Sequence, residues 1–418
     1  MRVSRDRIRY IRRGRVVDMP AGPPDRTLLD HLRLDCGATG TKEGCNEGDC
    51  GACTVVLARL RGGQIVHEAV NACILLAGQV DGAEVITVED LGSPEALHPV
   101  QQAMVNHHGS QCGFCTPGIV MSLFALYQDG ARPVTHQTVC DALAGNLCRC
   151  TGYRPIAAAA KDACAGAPDD AFRADEAARM ARLAALDDWA DVFVGTDACF
   201  FAAPASTEAL ARLAEAHPDA VLIGGATDAG LWVTKKLQRL EKIIWLGRVR
   251  ALDTVRDLPD ALDLGAGVTV RKAQAHLAAI DPDLGELVRR FGSEQVRASA
   301  TVGGNIANGS PIGDLAPCLI ALDARVTLQK GAHTRALPLE RFFIAYGRQD
   351  RAPGEFVRSL SVPKLEAGQH FRCFKVSKRF DEDISAVMGA FRFTLADGAV
   401  RAARIAFNNI TTTPKHTP

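Results

Sequence analysis

The 418-residue sequence predicts an α+β protein of several domains. Strand-like segments surround a cysteine-rich loop in residues 1–90, and helical segments follow in 91–165. From Ala202 onward, strands and helices alternate. We therefore expect one domain at 1–90, a second at 91–165, a linker at 166–190 and a third domain from 191.

The first domain contains a cysteine pattern that indicates a metal cluster. Cys45, Cys50 and Cys53 have C-x4-C-x2-C spacing, and Cys73 follows after nineteen residues. This is the plant-type spacing for a [2Fe–2S] cluster. Glycines in the loop can take positive φ and bring backbone N–H groups close to the sulfurs; they are Gly44, Gly48 and Gly51. A zinc site or a set of buried free thiols is the alternative, although the C-x4-C step fits zinc poorly.

The segments around this loop predict its fold. Ile8 to Val17 alternates in the manner of a β-hairpin with a turn near Gly14, and Thr27 is a plausible N-cap of a short helix. Strands are expected at 54–60 and 65–69. Together these elements indicate a β-grasp ferredoxin domain.

A second set of four cysteines lies at the hinges of the helical domain. Helices are expected at 99–107, 117–128, 135–147 and 153–163. Cys112 and Cys115 precede the second of these helices, and Cys148 and Cys150 lie between the third and fourth. A C-x2-C combined with a C-x-C suits two bridged irons better than one zinc ion, which stays the alternative. The sequence thus predicts a four-helix bundle that holds a second [2Fe–2S] cluster.

Residues 164–190 are rich in Ala and Asp. They indicate either a linker with a surface helix or an amphipathic helix packed on a neighbour.

Two Gly-rich segments of the third domain follow predicted strands. They are Gly224–Gly230 and Thr301–Asp314, and their backbone N–H groups could turn toward a diphosphate or form plain turns. Neither reads G-x-G-x-x-G at the start of a helix, so a Rossmann site is not supported. Each of four charged residues in this domain could either bind a ligand or have a purely structural role. Asp228 and Asp314 could bind ribityl or ribose hydroxyls or cap a turn, and Arg297 and Lys375 could pair with phosphate or be surface charges.

Bulk properties argue against several functions. The formal net charge of +0 and a pI of about 7.1 give no reason to expect nucleic acid or an anionic membrane as a partner. The Arg-rich start has no apolar segment after it, and no run of about eighteen apolar residues occurs, so we expect neither a signal peptide nor a membrane span. Fourteen cysteines then indicate metal or redox use in a reducing cytoplasm. The six outside the two sets are expected to be buried small hydrophobic residues.

The motifs GTKEGCNEGDCGACTV, SQCGFCTPG, GNLCRCTGYRPI and ATVGGNIANGSPIGDLAP resemble the iron–sulfur and flavin parts of the molybdenum hydroxylases. Their combination without a molybdenum domain looks like the small subunit of the bacterial xanthine dehydrogenases. The resemblance implies a PCMH/VAO-type FAD-binding domain at 191–366 and a truncated C-terminal α+β flavoprotein subdomain at 367–418.

The resemblance also implies site residues. The [2Fe–2S] ligands would be Cys45, Cys50, Cys53 and Cys73 for one cluster and Cys112, Cys115, Cys148 and Cys150 for the other. FAD would be bound by Leu222, Ile223, Gly224, Gly225, Ala226, Thr227, Asp228, Ala229, Phe291, Thr301, Val302, Gly303, Gly304, Asn305, Asp314 and Lys375.

The function implied is electron transfer. A large molybdopterin-binding partner subunit would hydroxylate hypoxanthine or xanthine to urate, and electrons would pass through both clusters and FAD to NAD+. We expect no catalytic residue for hydroxylation in this chain, an α2β2 heterotetramer and a cytoplasmic location. The alternatives are the same relay in a hydroxylase of another substrate, such as an aldehyde or aromatic compound, or a non-catalytic iron–sulfur electron carrier.

Overall fold

A computed structural model of the chain describes residues 4–130, 133–345 and 347–408, together with the backbone of 415–417. It forms two compact units. The first comprises Met1–Ala202, Ala226–Ile243 and Ser293–Ala298, and the second comprises Ala203–Gly225, Ile244–Gly292 and Ser299–Pro418. In the described ranges, no helix is both long enough and apolar enough to cross a membrane.

The helices and strands have the following bounds. The helices are α1 (Leu28–Asp30), α2 (Pro99–Asn106), α3 (Thr116–Asp129), α4 (His136–Leu143), α5 (Arg154–Ala163), α6 (Ala171–Ala174), α7 (Glu176–Leu186), α8 (Thr207–Ala216), α9 (Ala229–Thr234), α10 (Val270–Ile280), α11 (Pro282–Arg289), α12 (Glu294–Ser299), α13 (Val302–Asn308), α14 (Leu315–Ala321) and α15 (Leu339–Phe342). The strands are β1 (Ser4–Arg5), β2 (Ile8–Arg12), β3 (Arg15–Met19), β4 (Thr54–Arg61), β5 (Gln64–Asn71), β6 (Glu84–Ile86), β7 (Asp191–Thr196), β8 (Cys199–Ala203), β9 (Val221–Ile223), β10 (Lys242–Trp245), β11 (Val255–Asp257), β12 (Ala261–Gly265), β13 (Arg325–Lys330), β14 (His333–Pro338), β15 (Phe343–Ala345), β16 (Arg348–Gln349), β17 (Phe356–Pro363), β18 (Gln369–Val376), β19 (Val387–Ala396), β20 (Ala399–Asn408) and β21 (Lys415–Thr417).

The first unit begins with a five-stranded sheet in the order β3-β2-β6-β4-β5. The predicted hairpin is present as β2 and β3, and its turn places Arg13 and Gly14 at positive φ. Thr27 caps α1 as predicted, because its hydroxyl accepts a hydrogen bond from the Asp30 N–H at 3.1 Å. A π-helical turn, His31–Asp35, continues α1.

The four predicted helices of the cysteine-bearing bundle are present as α2 to α5. Helix α3 packs on β4 and β5 of the sheet. Buried side chains from the sheet, such as Val56 and Ile86, belong to the same hydrophobic core as Met121 and Phe124 of α3. The sheet and the bundle are therefore held together by one shared core, and we expect them to fold cooperatively.

Of the two interpretations of residues 164–190, a packed helix is the one found. Leu183 and Leu186 of α7 are buried against Ile11 of the sheet. Arg179 is also buried, and its guanidinium lies 2.8 Å from a carboxylate oxygen of Glu84. This segment is therefore part of the first unit rather than a loose linker.

The second unit contains a five-stranded sheet in the order β11-β12-β17-β13-β14 and a C-terminal antiparallel sheet in the order β18-β19-β20-β21. Helix α14 packs on β19 and β20, and α11 packs on β18. Phe371, Met388 and Ala406 fill the core of this second sheet. In the described part of 367–418 the secondary structure is all strand, and the helices that cover it come from earlier in the chain. Residues 409–414 and 418 of that segment lie outside the described residues.

Candidate redox-cofactor sites

The first cysteine set lies in the loop before β4. The Cys45 N–H donates to Sγ of Cys50 and the Cys50 N–H donates to Sγ of Cys45, both at 3.3 Å. The Glu47 N–H donates to Sγ of Cys45 at 3.4 Å. Cys53 and Cys73 are buried below the loop. Backbone donors thus reach the sulfurs of Cys45 and Cys50, as a site that concentrates negative charge requires.

The glycines of this loop have backbone angles or close contacts that a side chain would disturb. Gly51 has φ +69°, and a Cβ there would lie 2.0 Å from the carbonyl oxygen of Gly145. Gly48 has φ +79°, as predicted from its need to turn the backbone. Gly44 is needed for space instead, because a Cβ there would lie 2.7 Å from Sγ of Cys50.

The four thiols of this set interact with one another. A hydrogen bond with the Cys50 thiol lowers the pKa of Cys45, and the same contact raises the pKa of Cys50. Likewise, a hydrogen bond with Cys73 lowers the pKa of Cys53, while hydrogen bonds with Cys45 and Cys53 raise the pKa of Cys73. Neighbouring thiols of this set therefore lie within hydrogen-bonding reach of one another, and a bound cation would replace their protons.

The second set lies at the ends of α3 and α5 and is more exposed. Burial, aided by the contact with Cys148, raises the pKa of Cys115 to about 12. A hydrogen bond with Cys112 raises the pKa of Cys150, so these thiols also meet in pairs. Sγ of Cys148 lies 3.2 Å from the Thr151 hydroxyl. Among the described residues, no group of three or more His, Cys, Asp and Glu is arranged as it stands to hold a metal ion.

The loops that carry the two sets are bonded to each other within the first unit. The Leu147 N–H donates to the Cys50 carbonyl at 3.0 Å. Asn146 Nδ2 donates to the Gly51 carbonyl at 3.2 Å. Leu147 directly precedes Cys148 in sequence. The hydrogen bond from Leu147 to Cys50 therefore links a cysteine of the first set to the residue next to a cysteine of the second set.

The first two residues of one Gly-rich segment, Gly224 and Gly225, meet the start of the other segment in the second unit. A Cβ on Gly225 would lie 1.8 Å from the Ser299 carbonyl oxygen, and one on Gly224 would lie 2.4 Å from Oγ1 of Thr301. Trp245 Nε1 donates to the Gly224 carbonyl at 3.0 Å. Leu222 and Ile223 lie in β9, and Gly224 directly after that strand is close to Thr301 directly before α13.

The second Gly-rich segment forms part of a helix, which was not predicted. Thr301 is the N-cap of α13, since its Oγ1 accepts from the Gly304 N–H at 3.0 Å. Gly303 packs against Ala266, where a Cβ would approach within 2.4 Å. Val302 is buried, whereas Asn305 is half-buried one turn into the helix.

Asp314 is the centre of a buried polar network. Its carboxylate accepts from Lys375 Nζ at 2.6 Å, from the Ser385 hydroxyl at 2.7 Å and from Asn408 Nδ2 at 2.9 Å. The interpretation of Lys375 as a surface charge is wrong, since its side chain is 5% exposed. Ser385 and Asn408 carry no sequence motif, so their part in this network was missed.

The remaining predicted flavin residues are placed as follows. Ala226, Thr227, Asp228 and Ala229 belong to the first unit and lead into α9. Phe291 is half-buried just after α11 in the second unit. Arg297 is buried in the first unit and pairs with Glu294 at 3.0 Å, so it is not a surface charge either.

The prediction for the six other cysteines is wrong in part. Cys164 and Cys318 are buried, but Cys199 is exposed and Cys36, Cys140 and Cys373 are half-buried.

Four family models match the chain. Residues 13–77 match a 2Fe-2S iron-sulfur cluster binding domain, and residues 87–161 match a [2Fe-2S] binding domain. Residues 196–365 match the FAD binding domain in molybdopterin dehydrogenase, and residues 372–418 match the CO dehydrogenase flavoprotein C-terminal domain.

Curated relatives include several xanthine dehydrogenases. The xanthine dehydrogenase of Emericella nidulans is 32% identical over 452 aligned positions, which cover 94% of this chain and 33% of that protein. The xanthine dehydrogenase/oxidase of Rattus norvegicus is 32% identical over 96% of this chain and 34% of that protein. The chain thus spans about one third of the length of the curated relatives it matches.

Solved structures that are similar include a Cu,Mo-CO dehydrogenase, with 22% identity and a TM-score of 0.49 over 52% of this chain and 76% of that one. The aldehyde oxidoreductase of Desulfovibrio gigas has 39% identity and a TM-score of 0.35 over 38% of this chain and 17% of that one. Both TM-scores are below 0.5, so the family assignment rests on the sequence matches and on the order of the domains. The chain belongs to the molybdenum hydroxylase family, of which it carries two iron–sulfur domains and an FAD-binding domain.

Proposed function

We propose that this chain is the electron-transfer subunit of a xanthine dehydrogenase. In this proposal a large partner subunit with a molybdopterin centre hydroxylates hypoxanthine and xanthine to urate. Electrons then pass through two [2Fe–2S] clusters and FAD to NAD+. The xanthine dehydrogenases among the relatives support this choice of substrate.

The observation that carries the proposal is the bonded contact between the two thiol-bearing loops. The Leu147 N–H to Cys50 carbonyl hydrogen bond of 3.0 Å joins them inside one packed unit. When bound, the clusters would supply one-electron steps and the flavin would convert these into two-electron chemistry. The eight cysteines of the two sets would hold the clusters. The hydrogen bond between Leu147 and Cys50 would keep the distance between the two clusters fixed.

We further propose that the second cysteine set lies beside the partner subunit, and the residues around the set support this position. Cys112 and Cys150 are exposed, and Phe114 and Leu147 next to this set have exposed fractions of 49% and 46%. Large apolar side chains around a functional group are typical of a surface that another protein covers. We accordingly propose an α2β2 heterotetramer in the cytoplasm, in which this face contacts the molybdenum subunit.

The Asp314 network supports the proposed flavin site. A carboxylate that is buried with a lysine and two neutral donors can also accept a hydroxyl hydrogen bond, which an FAD ribityl chain would offer. Gly224, Gly225 and Thr301 would allow the diphosphate to approach the backbone closely.

The experiment is purification of the chain with whatever large subunit accompanies it. We expect flavin absorbance, about four irons per chain, molybdenum in the partner, and bleaching of the clusters by xanthine or NADH. If an aldehyde or an aromatic heterocycle reduced the clusters and xanthine did not, that compound rather than xanthine would be the substrate. Iron without flavin would indicate a simple electron carrier, and a colourless zinc protein would refute the proposal.

A further inference from the structure

Outside the two cysteine sets, Cys36 lies in a cluster of titratable side chains. Its Sγ is 3.6 Å from Nε2 of His31 and 3.8 Å from the Tyr10 hydroxyl oxygen. The same Tyr10 hydroxyl is 2.9 Å from Nε2 of His31. On the other side of the imidazole, Nδ1 lies 3.0 Å from a carboxylate oxygen of Asp35.

This geometry fixes the roles of the two imidazole nitrogens. A carboxylate can only accept, so Nδ1 of His31 carries a hydrogen and donates it to Asp35. Nε2 is then the nitrogen that can take a proton from Cys36. Asp35 is itself held by Arg26 at 2.7 Å. The Cys36 thiol as nucleophile, His31 as base and Asp35 as the group that orients the base are therefore joined by successive hydrogen bonds, as in enzymes that activate a thiol.

The surroundings of the thiol favour its ionised form. The hydrogen bond with His31 lowers the pKa of Cys36 against the opposing effect of burial, and the positive charge of Arg12 adds to the lowering. Burial alone would lower the pKa of His31, but its hydrogen bonds with Cys36 and Asp35 outweigh it and raise that pKa. Burial raises the pKa of Tyr10 and the neighbouring Cys36 adds to the increase, so the Tyr10 hydroxyl stays protonated and can donate to the Cys36 sulfur once Nε2 of His31 carries a proton.

Cys36 lies at a partly exposed position of the chain. Cys36 is half-buried at the end of the π-helical turn His31–Asp35. It is followed by Gly37, which is exposed at φ +65°, and preceded within the turn by Leu34, which is 73% exposed. None of these residues belongs to the two cysteine sets, and Cys36 is nine positions before Cys45.

We propose that Cys36 is a site of reversible modification by small disulfides such as glutathione disulfide. In the step, the Cys36 thiol gives its proton to Nε2 of His31 and its sulfur attacks one sulfur of the disulfide. The disulfide S–S bond breaks as the new S–S bond forms. The departing thiolate takes the proton from His31, so that one disulfide and one thiol are consumed and one mixed disulfide and one thiol are made. Asp35 acts as a positioning residue for His31.

The chain offers two reference thiols. Cys199 is exposed, and Cys140 lies 3.5 Å from Nε2 of His136 on the exposed surface of α4. Cys140 therefore tests whether a neighbouring imidazole alone is enough to make a thiol react quickly with a disulfide. Cys199 reports the rate of an accessible thiol in the same sample.

The experiment exposes the iron-loaded protein to glutathione disulfide and quantifies the mixed disulfide at each cysteine by mass spectrometry. At pH 6.5 we expect Cys36 to react at least about tenfold faster than Cys199 and Cys140. Between pH 6.5 and 8.5 the rate at an ordinary thiol should rise about 50-fold, as its thiolate fraction does, whereas the rate at Cys36 should change by less than about fivefold. Equal rates, or parallel pH profiles, would overturn the proposal.

Two variants separate the roles of the base and its partner. His31→Gln should bring the pH profile of Cys36 to that of Cys199. Because His31 is buried, Asp35→Asn provides a second test at a side chain that is 43% exposed, and it should slow Cys36 at pH 6.5 by about threefold or more. An unchanged Cys36 rate in Asp35→Asn would remove the proposed role of the imidazole and its carboxylate. Iron content and both cluster EPR signals should be unchanged in Cys36→Ser, since Cys36 lies outside the proposed ligand sets.

Discussion

The side-chain amide of Gln295 donates a hydrogen bond of 2.9 Å to Oδ1 of Asn146, although the two residues are 149 positions apart in sequence. The same amide lies 3.1 Å from the Ser122 hydroxyl, which itself donates to Asn146 at 2.6 Å. All three side chains are buried. Helix α12 thereby fixes the loop before Cys148 to α3, and through Asn146 it also reaches Gly51 of the first cysteine loop.

Replacement of Gln295 by Leu should destabilise the first unit. It removes hydrogen bonds to Ser122 and Asn146 and leaves their buried polar atoms with fewer partners, at a cost of about 2–3 kcal/mol. The measurement is urea denaturation followed by the visible absorbance of the iron–sulfur protein, which should lose its colour at a lower urea concentration. Gln137→Leu on the exposed face of α4 is the matched control and should change stability by less than about 0.5 kcal/mol. Equal midpoints for the two variants would contradict this role.

The sequence could predict what local patterns encode. The hairpin at Gly14, the Thr27 cap and the bundle helices were expected from turn residues, capping residues and Pro–Gly punctuation, and the structure confirms them. The contacts of Gln295 could not be predicted, because no local pattern relates it to Asn146. The helix α13 was missed for a different reason: its first turn contains Gly303 and Gly304, which indicate a loop by propensity, while the Thr301 cap and the packing on Ala266 stabilise a helix.

Gly51→Ala should prevent the first cysteine loop from packing on the second. Its Cβ would lie 2.0 Å from the Gly145 carbonyl oxygen and 2.5 Å from Nδ2 of Asn146, so the two loops would have to separate. Gly63→Ala is the control, because Gly63 has φ +79° but no atom within 4 Å of an added Cβ. Both variants carry the strain of positive φ, about 1 kcal/mol. Only Gly51→Ala should lose iron, as measured by iron content per chain, and full iron retention there would count against a tight contact between the loops.

Cys148→Ser should abolish one of the two expected cluster EPR signals and leave FAD bound. The reason is that the second set would then lose one of its four proposed sulfur ligands, whereas the flavin segments lie elsewhere in the chain. Cys140→Ser is the matched control, since Cys140 is half-buried on the neighbouring helix and outside the proposed set. Two intact signals in Cys148→Ser would refute the ligand assignment.

Lys375→Met should destabilise the second unit by about 3–5 kcal/mol. It leaves the buried Asp314 carboxylate without its 2.6 Å cationic partner, and an unpaired buried charge is costly. Lys364→Met is the control: its 2.6 Å pair with Asp257 is more exposed, so its loss should cost less than about 1 kcal/mol. Thermal unfolding measures the loss of stability in both variants. Adding Asp314→Asn to Lys375→Met should recover part of the loss, and no recovery would argue against charge burial as the cause.

The first unit should become less stable as the pH falls from about 6.5 toward 3, in part because of His67. Burial, together with the charge of Arg179, lowers the pKa of His67 to about 3, and Nε2 accepts a hydrogen bond from Arg179 at 3.0 Å. Since an unfolded histidine has a pKa near 6.5, the unfolded chain takes up a proton in this range that the folded chain does not. The stability associated with neutral His67 is therefore complete above pH 6.5 and is lost as the pH falls, by about 2 kcal/mol between pH 7 and pH 5.

The histidine contribution can be separated from that of carboxylates by substitution. His67→Gln keeps an acceptor for Arg179 but cannot titrate, so its urea midpoint should fall less between pH 7 and pH 5 than that of the unaltered protein. His108→Gln at an exposed histidine should keep the full dependence. If His67→Gln retained the same pH dependence as the unaltered protein, the histidine would have to be protonated or exposed in the native state, and Arg179 could not be donating to it.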